Sequence, residues 1–157
     1  METGIYCLVF ANPPAVLVVG RLGPVAFRPG YHLYVGSALG PGGLSRVRRH
    51  LRLSSERDRA PRWHVDRLLL DPRFRLEAVV AAVTSERLEC ALAGAIAGDR
   101  VPCFGASDCR CGSHLLYRPR DPTAEVAAAF GTIGLAPTVI LAGDPVERAL
   151  APGVKDR

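Results

Sequence analysis

Apolar residues come in short bursts through the first 36 positions, with Gly and Pro between them. Gly4 to Phe10 (GIYCLVF) is rich in strand formers, and Asn12-Pro13-Pro14 breaks it. Ala15 to Gly20 (AVLVVG) reads as a second strand, in a hairpin with the first. Pro24 to Phe27 adds a short third, and Arg28-Pro29-Gly30 turns the chain into Tyr31 to Gly36 (YHLYVG). Four such runs in succession predict an antiparallel meander. Gly40-Pro41-Gly42-Gly43 then interrupts regular structure. In Leu44 to Leu53 the period changes to that of a helix, with Leu44, Val47 and Leu51 on one side and Arg46, Arg49, His50 and Leu53 on the other. Ser54 to Pro61 is a polar loop, and Trp63 to Leu70 fits a helix or a strand. Leu76 to Val83 is strand-like. Ser85 is placed to cap a helix over Glu86 to Ala97, with Leu88, Leu92 and Ile96 as its apolar stripe, Glu89 beside them and Gly98 as its stop. A Cys/Gly/Ser loop spans 102–113, followed by a strand at His114 to Tyr117, an Ala-rich helix at Thr123 to Phe130 and a strand at Thr138 to Ala142. The expected fold class is α/β (α+β): a small antiparallel sheet flanked by helices. Residues 1–117 form the domain, and 118–157 are an extension packed on it or partly flexible.

The length of 157 residues suits one domain, and 48% hydrophobic with 22% charged residues is a globular balance. No apolar run approaches the roughly 18 residues a membrane span needs, so no membrane partner is expected. Met1-Glu2-Thr3 has no basic lead, and five cysteines are an odd number. Both features point to reduced thiols and a cytoplasmic location. The net charge of +5 is unevenly distributed. Leu44 to Arg75 carries ten Arg against four acids, whereas Arg118 to Arg157 balances five against five. A concentrated positive segment is the footprint of a polyanion site, or else a solvated Arg-rich face.

One set of residues suits phosphodiester hydrolysis. Gly4-Ile5-Tyr6 and Tyr34-Val35-Gly36 lie on strands, Arg46 and His50 lie one turn apart on a helix, and Glu89 lies on a later helix. Arg offers a planar fork to phosphate oxygens. Tyr or His can move a proton, and a lone carboxylate can hold a divalent metal with water completing the shell. With Tyr34-Val35-Gly36-Ser37-Ala38 and Arg46-Val47-Arg48-Arg49-His50, the set resembles the GIY-YIG nucleases. Arg62-Trp63-His64-Val65-Asp66, Glu89-Cys90 and Phe104 to Leu115 narrow the resemblance to the DUF123-like branch, over roughly residues 4–117. The resemblance implies an endonuclease acting on structured or damaged DNA, RNA being the lesser expectation, with a DNA-repair glycosylase as a partner. It implies Tyr6 as general base or water-orienting group and Tyr34 in support of the nucleophile or the scissile phosphate. Arg46 would stabilise phosphate charge, His50 would assist proton transfer, and Glu89 would hold one Mg²⁺ or Mn²⁺. Ser37, Arg48, Arg49, Arg52, Trp63 and His64 are the expected nucleic-acid contacts. In compact members of the family the two tripeptides lie about ten residues apart. Here 27 residues, Cys7 to Leu33, intervene, enough for an extra strand or hairpin.

Cys103, Cys109, Cys111 and His114 form a second set. They could hold a structural zinc, although the C-x-C spacing is tighter than usual and packing of small thiols is the favoured reading. His64 and Asp66, two apart on a strand, would share a side and either extend the site or pack around a buried Trp63. Two other function classes fit parts of the chain: a non-catalytic nucleic-acid-binding module of this fold, and a zinc-stabilised interaction protein.

Overall fold

The central strand decides the architecture. β1 (Gly4–Asn12) is buried at all nine positions. Its side chains alternate between two cores, Tyr6, Leu8 and Phe10 on one face and Ile5, Cys7 and Val9 on the other. A strand apolar on both sides must be covered on both sides. A computed structural model, which describes residues 2–104 and 113–144, shows how this is done. β4 (Gly30–Ala38) and β5 (Arg75–Val83) flank β1, and β6 (Leu115–Arg118) and β7 (Thr138–Leu141) form the edges. The order is β6-β4-β1-β5-β7, with every neighbouring pair antiparallel. α1 (Ser45–Glu56) and α2 (His64–Leu70) cover the Tyr6 face. α3 (Glu89–Ile96) and α4 (Thr123–Thr132) cover the Ile5 face through Leu92, Ile96, Val126 and Phe130. The expected α+β class is what the chain adopts.

Several local expectations are corrected. The first four strands are not a meander, and β1 does not pair with β2 (Ala15–Val18). β2 pairs instead with β3 (Pro24–Phe27) in a separate ribbon, and β1 pairs directly with β4. Of the residues between the tripeptides, 7–12 and 30–33 extend β1 and β4, and 13–29 leave the sheet as an insertion. Its base is closed by Asn12, whose Nδ2 donates to the carbonyls of Pro13 (2.8 Å) and Arg28 (3.0 Å) and whose Oδ1 lies 2.7 Å from His32 Nδ1. The buried side of α1 carries Val47, His50 and Leu53, whereas Leu51 is only partly covered. Leu44 precedes the helix, and one buried polar residue therefore disguised the stripe. Trp63 to Leu70 resolves into helix from His64 onward. α3 starts at Glu89 rather than Glu86 and has no side-chain cap, because Thr84 Oγ1 accepts the Glu86 N–H (3.1 Å) in a turn ahead of it.

Two backbone approaches fix where α1 begins. The Leu44 N–H donates to the Glu2 carbonyl (2.8 Å), and the Thr84 N–H donates to the Thr3 carbonyl (3.1 Å). Between them, a Cβ on Gly4 would lie 2.2 Å from the Ala82 carbonyl oxygen and 3.1 Å from Leu44 Cδ1. Backbone cannot yield as a side-chain tip can. Gly4→Ala is therefore expected to destabilise the fold by about 1–3 kcal/mol, as over-packing does. A urea titration would show this as a lower midpoint at unchanged slope. An unaltered midpoint would mean that the β1–β5 contact is looser than drawn.

Candidate functional site

The register of β1 against β4 brings the two tripeptides together. Tyr6 pairs with Gly36, and Leu8 pairs with Tyr34. Cross-strand partners share a face, so both tyrosines project beneath α1 and α2. Tyr6 is 2% exposed. A Cβ on Gly36 would lie 2.5 Å from both Tyr6 Cζ and Oη. The phenol thus lies across its partner strand in the space that a glycine leaves.

α1 supplies the next two groups. His50 is fully buried, and its Nε2 lies 2.8 Å from Tyr6 Oη. His50 Nδ1 is also buried and has no hydrogen-bond partner among the described residues. Burial pushes the imidazole pKa down to about 3; the Arg49 and Arg46 charges add to this and Asp66 opposes it. Burial, then the neighbouring Tyr34, raises the Tyr6 phenol far above its usual range, against the pull of Arg46 and Arg49. Both members of the pair are therefore neutral at neutral pH. Arg46, half-buried, donates from Nη1 to the Ser37 carbonyl (2.8 Å).

Asp66 on α2 holds this side of the site in place. It is wholly buried and accepts from Arg49 Nη1 (3.1 Å) and Nη2 (2.9 Å), and from the backbone N–H groups of Arg62 (2.8 Å) and Trp63 (3.1 Å). Burial favours its neutral form, but these four hydrogen bonds outweigh burial and hold its carboxyl below the ordinary range. Asp66 thereby ties α1 to the first turn of α2. Above that tie stands Trp63, with the guanidinium carbons of Arg49, Arg46 and Arg62 at 4.3, 4.9 and 5.7 Å from its ring centroid.

These groups surround one cleft of about 380 Å³. Tyr6, Tyr34, Arg46, His50 and Glu89 all line it, as do Ser37, Trp63 and His64. Glu89 is the first residue of α3 and is half-buried. Arg62, Arg87 and His114 also face the cleft. Nothing in the sequence distinguished Arg87, because the expected helix over 86–97 made it one more surface position. His114 appeared only as a zinc candidate; it lies just before β6 rather than in a strand, where its carbonyl accepts the Val35 N–H (2.9 Å) beside the cleft.

Other expected contacts lie elsewhere. Arg48, Arg49 and Arg52 line a second groove along α1 with Ser45, Leu51 and Arg59; Arg49 turns inward from it to Asp66. Arg52 is exposed and pairs with Glu56 (3.2 Å), one turn on. His64 and Asp66 do not share a side, because they lie on a helix rather than a strand. His64 is half-exposed in the cleft with its ring 5.5 Å from Phe104, whereas Asp66 is buried. Burial, then Arg67, lowers the His64 pKa. Trp63 is not a buried packing residue; it is 38% exposed. Cys103 is exposed on a separate groove, and Cys109 and Cys111 lie outside the described residues. Among the described residues, no three or more His, Cys, Asp or Glu are grouped to hold a metal, and no helix is long and apolar enough to cross a membrane.

The family model described as "Domain of unknown function DUF123" matches residues 5–135, a span that includes every described residue of the cleft. No curated protein and no solved structure matches the chain.

The buried ion pair gives a prediction with a defined pH sign. Arg49→Met leaves Asp66 buried without its cation and is expected to cost about 3–5 kcal/mol at pH 7. The native Asp66 carboxyl titrates below its unfolded value of about 3.9, so its contribution is complete above that pH and fades as pH falls further. The gap between wild type and Arg49→Met should therefore close in acid. Denaturant midpoints at pH 7 and pH 3 measure it, and a gap independent of pH would show that Arg49 acts by packing alone.

Proposed function

The chain belongs to the DUF123 family, whose description assigns no activity, and from the cleft at the centre of that domain we propose that it is a metal-dependent endonuclease hydrolysing DNA phosphodiester bonds, in the repair or processing of structured or damaged DNA. One observation carries the reading. A neutral Tyr6–His50 pair, a fixed Arg46, Tyr34 and the carboxylate of Glu89 converge on a single cleft whose rim is rich in arginine.

Each residue has a chemical task. Arg46, pinned by the Ser37 carbonyl, and Arg87 bind non-bridging phosphate oxygens and take up charge as the phosphorane forms. The proton of the attacking water passes to Tyr6 Oη as the Tyr6 hydroxyl proton passes to His50 Nε2, with the other imidazole hydrogen on Nδ1; the water oxygen bonds to phosphorus, the opposite bridging P–O bond breaks, and the leaving oxygen takes a proton from solvent. No phenolate is needed, which suits a phenol held above its usual range. The anionic phosphate raises the His50 pKa from its low resting value by offsetting Arg46 and Arg49, so the imidazole becomes a better base once substrate is present. Tyr34 lies on the same strand face and donates its hydroxyl toward the scissile phosphate.

Glu89 is a single hard oxygen donor in a cationic cleft. That donor set fits Mg²⁺ or Mn²⁺, which bind through one or two carboxylates, substrate phosphate oxygens and water. When bound, the ion would polarise the phosphoryl oxygen and offset charge on the leaving oxygen. The arginines on the outer groove of α1 would follow the phosphate backbone without reading sequence.

Two measurements test this reading. End-labelled duplex, single-stranded, flap and branched DNA are incubated with protein and Mg²⁺ or Mn²⁺. Wild type is expected to cut, and Arg46→Ala and Glu89→Gln to cut about 10²–10³-fold more slowly. Equal cutting by all three proteins would mark a contaminant, and salt-sensitive binding without cutting would leave a non-catalytic nucleic-acid module. The pH dependence is also fixed. His50 serves in its neutral form and titrates near 3 in the free protein, so kcat/KM should show no acid limb from His50 between pH 5 and 7. An acid limb near 6.5 that His50→Gln removes would contradict the buried, neutral imidazole.

A further inference from the structure

Trp63 is the chain's one tryptophan, and 38% of it is exposed on the rim of the cleft. The start of α2 makes no demand on the indole. Residue 63 serves the helix through its backbone, its N–H donating to Asp66 Oδ2 (3.1 Å) and its carbonyl accepting the Asp66 N–H (3.0 Å). The ring nevertheless has a built setting. Arg46 and Arg49, three residues apart on α1, reach it from that helix at 4.9 and 4.3 Å. Each guanidinium is tied down, Arg46 by the Ser37 carbonyl and Arg49 by Asp66. The His50 ring stands edge-on at 6.2 Å. An electron-rich ring is therefore held by two fixed cations, beside His50 of the Tyr6–His50 pair, and is partly open to solvent.

Aromatic faces beside phosphate-binding guanidiniums hold unpaired bases, because every base has a π-face and the adjoining backbone is anionic. A fully paired duplex cannot use such a surface, since its bases are stacked on both faces and only edges and phosphates are presented. Trp63 is a direct neighbour of the pair, its ring centroid 6.2 Å from that of His50.

We infer that Trp63 is the stacking platform for an unpaired nucleobase next to the scissile phosphate, so that the substrate class is a single-stranded or extrahelical nucleotide rather than continuous duplex. This rests on the phosphodiesterase reading of the cleft.

A sole tryptophan makes its emission a direct reporter. The protein is titrated in chelator, so that nothing is cut, with oligothymidylate, with an abasic strand of equal phosphate count, and with a hairpin whose stem is fully paired and whose loop is an abasic linker. Oligothymidylate is expected to quench Trp63 emission, and the abasic strand and the hairpin to leave it nearly unchanged. In anisotropy titrations with labelled strands, Trp63→Leu should weaken oligothymidylate binding about 5- to 150-fold, the equivalent of roughly 1–3 kcal/mol. The same change should weaken abasic-strand binding much less, and Trp63→Phe should recover most of the loss. Equal quenching by the abasic strand, or equal weakening of both strands in Trp63→Leu, overturns the inference, as does failure of all three probes to bind. If Trp63→Leu does not fold, the wild-type quenching arms and Trp63→Phe decide the matter. A protein that quenches with oligothymidylate but never cuts keeps the platform and loses the nuclease. One that cuts without base-dependent quenching does the reverse.

Discussion

The placement of the Tyr6 ring over Gly36 sets the position of nearly everything else in the cleft. With the ring lying across the partner strand, its hydroxyl reaches 2.8 Å from His50 Nε2. His50 lies on the innermost line of α1 with Val47 and Leu53, so the hydroxyl fixes how close that helix sits to the sheet. The other end of the helix is set by Gly4, which lets Leu44 and the Ala82 carbonyl approach the first strand. The two glycines of the paired tripeptides thus act in the same way. Each removes a Cβ where two elements must meet more closely than a side chain allows.

The second constraint is electrostatic. The segment from Leu44 to Arg75 has a large excess of arginine, yet several of these guanidiniums are held within the protein rather than left to solvent. Arg49 goes to Asp66, Arg46 to the Ser37 carbonyl, and both lie on the Trp63 ring. Fixing a cation before an anion arrives removes the reorganisation that a mobile arginine would need, which is how preorganised sites gain their effect. Asp66 makes this arrangement stable. Without its carboxylate, Arg46 and Arg49 would crowd one indole with no counter-charge beneath them.

The parts of this organisation that were legible in the sequence are those that depend on local pattern. The two tripeptides, the Arg46–His50 spacing and the α+β class follow from strand runs, a helical period and glycine punctuation. Pairing between strands was not legible. Ala15 to Gly20 looks like a natural partner for Gly4 to Phe10, and only the three-dimensional structure shows β1 passing over it to β4. The buried side of α1 was misjudged because histidine counts as polar, and a buried histidine is recognised only once its partner, Tyr6, is known to lie above it. Asp66 drew notice only beside His64, and its role was missed for the same reason: its importance comes from Arg49, 17 residues earlier, and from two backbone N–H groups that a strand reading would have placed elsewhere. Arg87 carries no periodic signal because it lies in the turn before a helix that starts later than its apolar stripe suggests.

The floor and the rim of the cleft differ in charge. The floor holds two titratable groups, Tyr6 and His50, both kept neutral by burial and by the cations near them. The rim holds the fixed positive charge of Arg46, with Arg62 and Arg87 also facing the cleft. An approaching polyanion is therefore attracted by charge that is already in place, while the groups assigned to proton movement carry none. On the proposed reading, a phosphate against Arg46 would offset the positive potential that depresses the imidazole, and the burial that keeps His50 uncharged would magnify its attraction to the anion.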